Sequence, residues 1–164
     1  MNQNHIPLRP RHREGIITAV SVGFFFILVG VIFVATPPLY DGLRTFFSSD
    51  SWMKDNVGNT NVFIPVPVAP SAHLEVYRAA FEFCLIWGFF QIFILVFRFV
   101  AGSPADRKAR TASNMTFWLG ASFLINTYLN VTTTKETWYT FWAAIIVLIG
   151  ITLIIRAALR LAMK

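Results

Sequence analysis

The chain has only one cysteine and three histidines in 164 residues, and this scarcity excludes several kinds of site. A single thiol, Cys84, cannot form an intramolecular disulfide, a CxxC redox pair or a four-cysteine metal site. None of the histidines, His5, His12 and His73, lies in the middle of an apolar run. A haem held by two histidines inside a helix bundle is therefore not expected.

Charged residues are also scarce, at 13% of the chain against 55% hydrophobic residues. This balance is typical of a membrane protein and not of a soluble core. A net charge of +6 would suggest nucleic-acid binding in a soluble protein. Here the basic residues flank apolar segments, so we expect a lipid bilayer as the partner and no nucleic acid.

Four apolar segments are long enough to cross a bilayer, since about 20 helical residues span a hydrocarbon core of ~30 Å. They cover residues 16–36, 74–101, 112–131 and 137–157. The first is too long for the apolar region of a signal peptide. The third is the least hydrophobic, which places it in the bundle interior. We therefore predict an all-α membrane protein, a four transmembrane helix bundle in one integral membrane domain, residues 1–164.

The distribution of basic residues predicts the orientation. If both termini and a loop at residues 102–111 are cytoplasmic, ten of the fourteen Lys and Arg residues lie inside and four outside. This asymmetry follows the positive-inside rule. The sequence therefore predicts a multi-pass protein of the cell membrane with both termini cytoplasmic.

Residues 37–73 form the one long external loop of this arrangement. Within it, apolar residues recur at helical spacing from Leu39 to Phe47, which predicts a short amphipathic helix at the membrane interface. Residues 49–60 are mostly polar and predict a loop. Three prolines between Val62 and Pro70 favour an extended segment over a helix.

A candidate intramembrane polar cluster comprises Glu75, Arg78, Glu82, Gln91 and Asn126. Arg78 is spaced to bridge the carboxylates of Glu75 and Glu82 on one helix face, whereas Gln91 falls on roughly the opposite face. Asn126 lies near the same membrane surface as Glu82. An intramembrane ionisable residue is a functional candidate. A salt-bridge ladder that fixes helix packing is the favoured interpretation, and a proton or cation site at Glu82 is the alternative.

A surface metal is a third hypothesis. His73 and Glu75, with Asp50 or Asp55 from the loop, have the side chains that bind zinc, copper or iron. Their spacing matches no defined metal motif. We therefore assign no metal ligand, no cofactor and no catalytic residue, although a membrane enzyme with a surface metal stays open.

Small residues recur on two of the spans and predict close helix contacts. Ala19, Gly23 and Gly30 lie on the first span, and Ala143 and Gly150 lie on the last. Small residues at such spacing allow another helix to approach closely. Together with 26 aromatic residues, this pattern is compatible with lipid, other membrane subunits or self-association.

The leading functional prediction is a non-enzymatic protein, either a structural or accessory subunit of a membrane complex or a homo-oligomer. It depends on the absence of any catalytic constellation and on the small-residue helix faces. The alternative is a small proton- or ion-coupled transporter that uses Glu82 in the second span.

Three stretches carry a family resemblance: REGIITAVSVGFFFILVGVIFVATP at 13–37, FWLGASFLINTYLN at 117–130 and TWYTFWAAIIVLIG at 137–150. They resemble a group of small uncharacterised archaeal multi-pass membrane proteins. The resemblance implies an archaeal cell membrane. It brings no activity and no functional residue.

Overall fold

A computed structural model describes residues 10–56 and 63–162 of the chain, apart from some side chains within those ranges. Residues 57–62 of the expected external loop, and the terminal residues His5, Arg9 and Lys164, lie outside this part. The structure is mainly helical, with one short β-hairpin. Its elements are α1 (Pro10–Ala35), α2 (Leu39–Phe46), β1 (Trp52–Asn56), β2 (Phe63–Pro67), α3 (Leu74–Val100), α4 (Ala105–Tyr128) and α5 (Lys135–Ala162).

Three helices in the described residues are long and apolar enough to cross a membrane: Gly15–Ala35 of α1, α3 and α5. The expected third span lies in α4, which is not among them. The start of this helix also differs from the expected span, which began at residue 112. Helix α4 begins at Ala105 and includes most of the expected loop at 102–111. Four charged residues in its first two turns lower its hydropathy without preventing a helix.

A glycine turn joins α3 to α4. Gly102 has a φ of +66°, a left-handed conformation that glycine adopts without steric cost. The Ser103 N–H donates to the Arg98 carbonyl at 3.0 Å, and the Gly102 N–H donates to the Phe99 carbonyl at 3.2 Å. These are the two bonds of a Schellman motif, which ends a helix and satisfies its last carbonyls. The chain therefore reverses within a few residues.

Helix α4 packs antiparallel against both α3 and α5. Its start is bound to the end of α5 by an ion pair between Asp106 and Arg160. In the middle, the Ser113 hydroxyl donates to the Thr152 carbonyl at 2.8 Å. Because α3 and α5 are each antiparallel to α4, these two helices run in the same direction.

Helix α1 lies on the outer side of α3 and also runs antiparallel to it. Aromatic rings form the contact, with the Phe24 and Phe90 centroids 3.8 Å apart. Nearer the end of α1, Leu28 and Ile32 pack in a buried cluster with Leu39 and Ala79. The described ends of the chain, Pro10 and Ala162, therefore lie at the same end of the bundle.

That end is called the basic end, because the described basic residues of α3, α4 and α5 concentrate there. Six of the eight lie at this end: Arg98, Arg107, Lys108, Arg110, Arg156 and Arg160. Lys108 stands over the Phe99 ring, with its Nζ 4.7 Å from the ring centroid. The opposite end, where α3 and α5 begin and α4 ends, is called the cap end.

Helix α2 and the hairpin cover the cap end. Strands β1 and β2 pair antiparallel, with Trp52 opposite Pro67. The extended conformation expected for residues 62–70 is confirmed over β2, whereas β1 lies inside the segment expected to be a loop. Val66 of β2 is fully buried and belongs to the same core cluster as Tyr77 and Trp138. The hairpin is therefore packed onto the helices.

The closest helix contacts lie at glycines other than those the sequence indicated. A Cβ at Gly88 would lie 2.6 Å from the Leu119 side chain, and a Cβ at Gly120 would lie 2.5 Å from the Leu148 side chain. In contrast, a Cβ at Gly23, Gly30 or Gly150 would meet nothing within 4 Å. These three glycines are therefore not the close helix contacts of the chain itself.

Candidate functional site

A cavity of about 500 Å³ lies at the cap end, between the first turns of α3 and the last turns of α4. This volume is within the range of pockets that hold small ligands, ~300–1,000 Å³. Polar and apolar side chains both line it. The lining residues are Leu74, Tyr77, Arg78, Phe81, Glu82, Ile125, Asn126, Leu129, Asn130 and Val131.

Arg78 and Glu82 are the charged residues of the lining. The Arg78 Nε donates to the Glu82 Oε1 at 3.0 Å, between positions one helical turn apart. The Arg78 side chain is 79% exposed and that of Glu82 is 33% exposed. An exposed pair of this kind contributes at most about 1 kcal/mol to stability. Because both side chains are partly or largely exposed, the charged atoms of the pair are accessible to a ligand.

The structure brings together only part of the expected polar cluster. Asn126 lines the same cavity as Arg78 and Glu82, so the expected proximity of α3 and α4 polar groups is observed there. Glu75 lies outside the lining and faces α2, with its Oε2 4.0 Å from the ideal Cβ position of Gly42. Gln91 is buried nine residues further along α3. At a rise of 1.5 Å per residue it lies about 13 Å from Glu82 along the helix axis.

Two polar residues of the lining, Tyr77 and Asn130, were not among the residues that the sequence indicated. Tyr77 is 4% exposed, and its hydroxyl has no hydrogen-bond partner among the described residues. Asn130 begins the turn between α4 and α5, where its Oδ1 accepts from the Thr132 N–H at 2.9 Å. The one-turn spacing of Tyr77 and Phe81, and of Asn126 and Asn130, is a signal that could have found them.

The surface metal site considered as a third hypothesis does not assemble in the part of the chain that is described, where no group of three His, Cys, Asp or Glu side chains could hold an ion. His73 is instead buried among aromatic rings, with Phe46 at a centroid distance of 5.1 Å and Tyr77 at 6.5 Å. The side chain of Asp55 lies outside the described ones.

Burial lowers the pKa of His73 below its ordinary 6.5, and the smaller effect of Glu75 opposes this shift. Below pH 6.5 the unfolded chain therefore binds a proton that the folded chain does not. Consequently the free energy of unfolding should fall as the pH falls from 6.5 towards the folded-state pKa. We expect His73→Phe to reduce this pH dependence, as measured by thermal unfolding in detergent at about pH 7.5 and about pH 5.

The other two histidines remain in His73→Phe, so they contribute equally to both proteins. Most carboxylates titrate below this window, near pH 4. An unchanged loss of stability between the two pH values in the variant would show that His73 does not cause it.

Comparison with known proteins identifies no relative: the chain matches no family model, no curated protein and no solved structure. The archaeal resemblance thus stays an expectation. The cavity at the cap end is accordingly interpreted from its own residues.

Proposed function

We propose that the chain is a non-enzymatic integral membrane protein that acts as a structural or accessory subunit of a membrane complex or as a homo-oligomer. The observation that carries this proposal is the exposure of its apolar helices. In the most apolar stretch of α1 and of α5, only 11% of the residues are buried within the chain, and in that of α3 the share is 22%. Such a surface requires lipid or other apolar helices around it.

Helix direction supports four crossings with both termini on one side. Helices α3 and α5 are both apolar and long enough to cross, and they run in the same direction. The chain that joins them must then return across the membrane, and α4 is the segment that does so. At 24 residues, α4 is about 36 Å long, which exceeds a hydrocarbon core of ~30 Å.

Two polar side chains of α4 are compatible with this crossing because they are buried and hydrogen-bonded inside the bundle. Ser113 and Ser122 are buried, and each hydroxyl donates to a carbonyl at 2.8 Å, that of Thr152 and that of Leu119 respectively. A polar group satisfied in this way does not face lipid without a partner. Helix α4 would thus be the inner helix, covered by α3 and α5.

The charges support an orientation with the basic end in the cytoplasm. That end holds six of the eight basic residues of α3, α4 and α5, in line with the positive-inside rule for cytoplasmic segments. Helix α2 would then lie at the external interface. Its Leu39 is buried against the bundle, whereas Tyr40 is exposed. Phe47, the first residue after α2, is also exposed. Asp41 and Arg44 give the helix its charged side chains.

Purification in a mild detergent tests the assembly part of this proposal. We expect the protein to elute as a homo-oligomer or with a stoichiometric partner, as determined by light scattering and mass spectrometry. Gly23→Leu and Gly30→Leu introduce bulk where the chain itself has open space, so they should weaken assembly without unfolding the protomer. A single monomeric species without any partner would contradict the proposal.

The alternative, a proton- or ion-coupled transporter, is favoured by one observation: Glu82 and Asn126 share a cavity at the membrane boundary. In this case Glu82 would bind and release the coupling ion. Replacement Glu82→Gln should then abolish pH-driven uptake into proteoliposomes, with Glu75→Gln as the control. Equal flux through the wild type and Glu82→Gln would dispose of this function.

A further inference from the structure

We propose that the cap-end cavity between α3 and α4 binds a lipid with a zwitterionic headgroup, one that carries both a phosphate and an ammonium group. In this arrangement Arg78 binds the phosphate and Glu82 binds the ammonium. The amides of Asn126 and Asn130 supply further hydrogen bonds. This inference rests on the membrane-crossing part of the proposed function and goes beyond it by assigning a ligand class.

The cavity lies at the depth where headgroups are found. Helix α3 has 27 residues and is about 40 Å long, so it extends beyond a ~30 Å hydrocarbon core by roughly one turn at each end. Arg78 is one turn from the start of α3 and Glu82 is two turns from it. Arg78 thus lies at the edge of the hydrocarbon core and Glu82 about one turn inside it, with its carboxylate bonded back to Arg78. The polar side of the cavity therefore opens towards the interfacial layer.

The remaining lining is apolar and is suited to an acyl chain. Phe81 comes from α3 and Ile125 from α4, and Leu129 and Val131 follow α4. Val131 is exposed, and the other three are buried or half-buried. A water-soluble headgroup alone would leave these apolar walls without contact, whereas a lipid covers them with its first methylene groups.

The charge of the lining distinguishes between lipid classes. Its charged residues are one cation and one anion, at accessible positions. An anionic lipid would gain from Arg78 but would be repelled by Glu82, whereas a zwitterion can satisfy both. When such a headgroup binds, the exposed ion pair between Arg78 and Glu82 is replaced by two charge-assisted hydrogen bonds, one from each residue to the headgroup.

Tyr77 is consistent with an occupant. It is a buried wall residue of the cavity, and its hydroxyl is unsatisfied within the described part of the chain. Buried hydroxyls normally have a hydrogen-bond partner. The cavity wall thus contains a polar atom that the chain itself leaves without one.

Native mass spectrometry of the purified full chain tests this inference. The protein is titrated in detergent with phosphatidylethanolamine, with phosphatidylglycerol of the same acyl chains, and with free phosphoethanolamine. We expect phosphatidylethanolamine to bind about tenfold more tightly than phosphatidylglycerol, since one charge-assisted bond separates the two lipids. It should also bind more tightly than free phosphoethanolamine, which has no acyl chain to cover the apolar walls. Glu82→Gln should remove the preference over phosphatidylglycerol, and Arg78→Gln should weaken binding of both lipids.

Glu75→Gln is the matched control, because Glu75 lies on the same helix, one turn before Arg78 and outside the cavity. It should leave both affinities unchanged. Asn126→Phe places a ring in the cavity from an exposed position and should reduce binding even if Glu82→Gln fails to fold. Equal affinity for the two lipids, or a preference that survives Glu82→Gln, would overturn the proposal. Equally tight binding of free phosphoethanolamine would contradict a lipid as the occupant.

The membrane-crossing assumption is checked separately. Extraction of cell membranes with alkaline carbonate should leave the wild-type chain in the pellet. A chain that is released by carbonate contradicts the membrane function and with it the lipid site, whereas a retained chain without lipid preference contradicts only the latter.

Discussion

Trp138→Ala is expected to lower the free energy of unfolding by about 3–5 kcal/mol, the usual cost of removing a large buried aromatic side chain. Trp138 is 3% exposed, and its ring contacts those of Trp52, Tyr77 and Phe141 at centroid distances of 6.0–6.3 Å. It therefore joins the hairpin, α3 and α5. Thermal unfolding in detergent, followed by near-ultraviolet circular dichroism, measures the loss.

Trp142→Ala is the matched control, because Trp142 lies one turn further along α5 and is 47% exposed. It removes the same side chain from a position that is nearly half exposed, so the loss of stability should be well below half of that for Trp138→Ala. Equal losses of stability for the two variants would show that the ring contacts of Trp138 do not stabilise the cap end.

Gly88→Val is expected to destabilise the protein by about 1–3 kcal/mol, the typical cost of overpacking a core. An added Cβ would lie 2.6 Å from the Leu119 side chain and 3.1 Å from the Leu119 backbone nitrogen. Since a backbone atom cannot turn away as a side chain can, α3 and α4 must separate. Unfolding in a denaturing detergent, compared with the wild type, measures the change.

Gly150→Val serves as the control on α5, where a Cβ meets nothing within 4 Å. It should be neutral or slightly stabilising, because valine has a better helix propensity than glycine. If Gly150→Val were as damaging as Gly88→Val, the close contact between α3 and α4 would not be the cause.

The helices could be predicted from the sequence because long apolar runs determine them. The start of α4 was missed, since charge in residues 105–111 indicated a loop although these residues are good helix formers. The hairpin could not be foreseen either. Residues 52–56 combine Trp52 and Met53 with three polar residues and show no strand alternation, and their pairing with the proline-rich strand makes them a strand.

The candidate site was predictable in part. Helical spacing alone brings Arg78 to Glu82, but the contact of α3 with Asn126 depends on the register between two helices. That register is determined at Gly88 and Leu119, which no local pattern reveals. Because this register is not visible in the sequence, close helix contacts were expected at the small residues of α1 and α5. The chain makes its closest glycine contacts at other positions.

The proposed function depends on a membrane crossing by α4 together with α1, α3 and α5. Two single reporters, Arg107→Cys and Thr132→Cys, test it in a Cys84→Ala background with a maleimide that does not permeate membranes. We predict that Thr132→Cys is labelled in intact cells and that Arg107→Cys is labelled only after permeabilisation. Labelling of Arg107→Cys from outside intact cells, or labelling of both positions from the same side, would contradict the account.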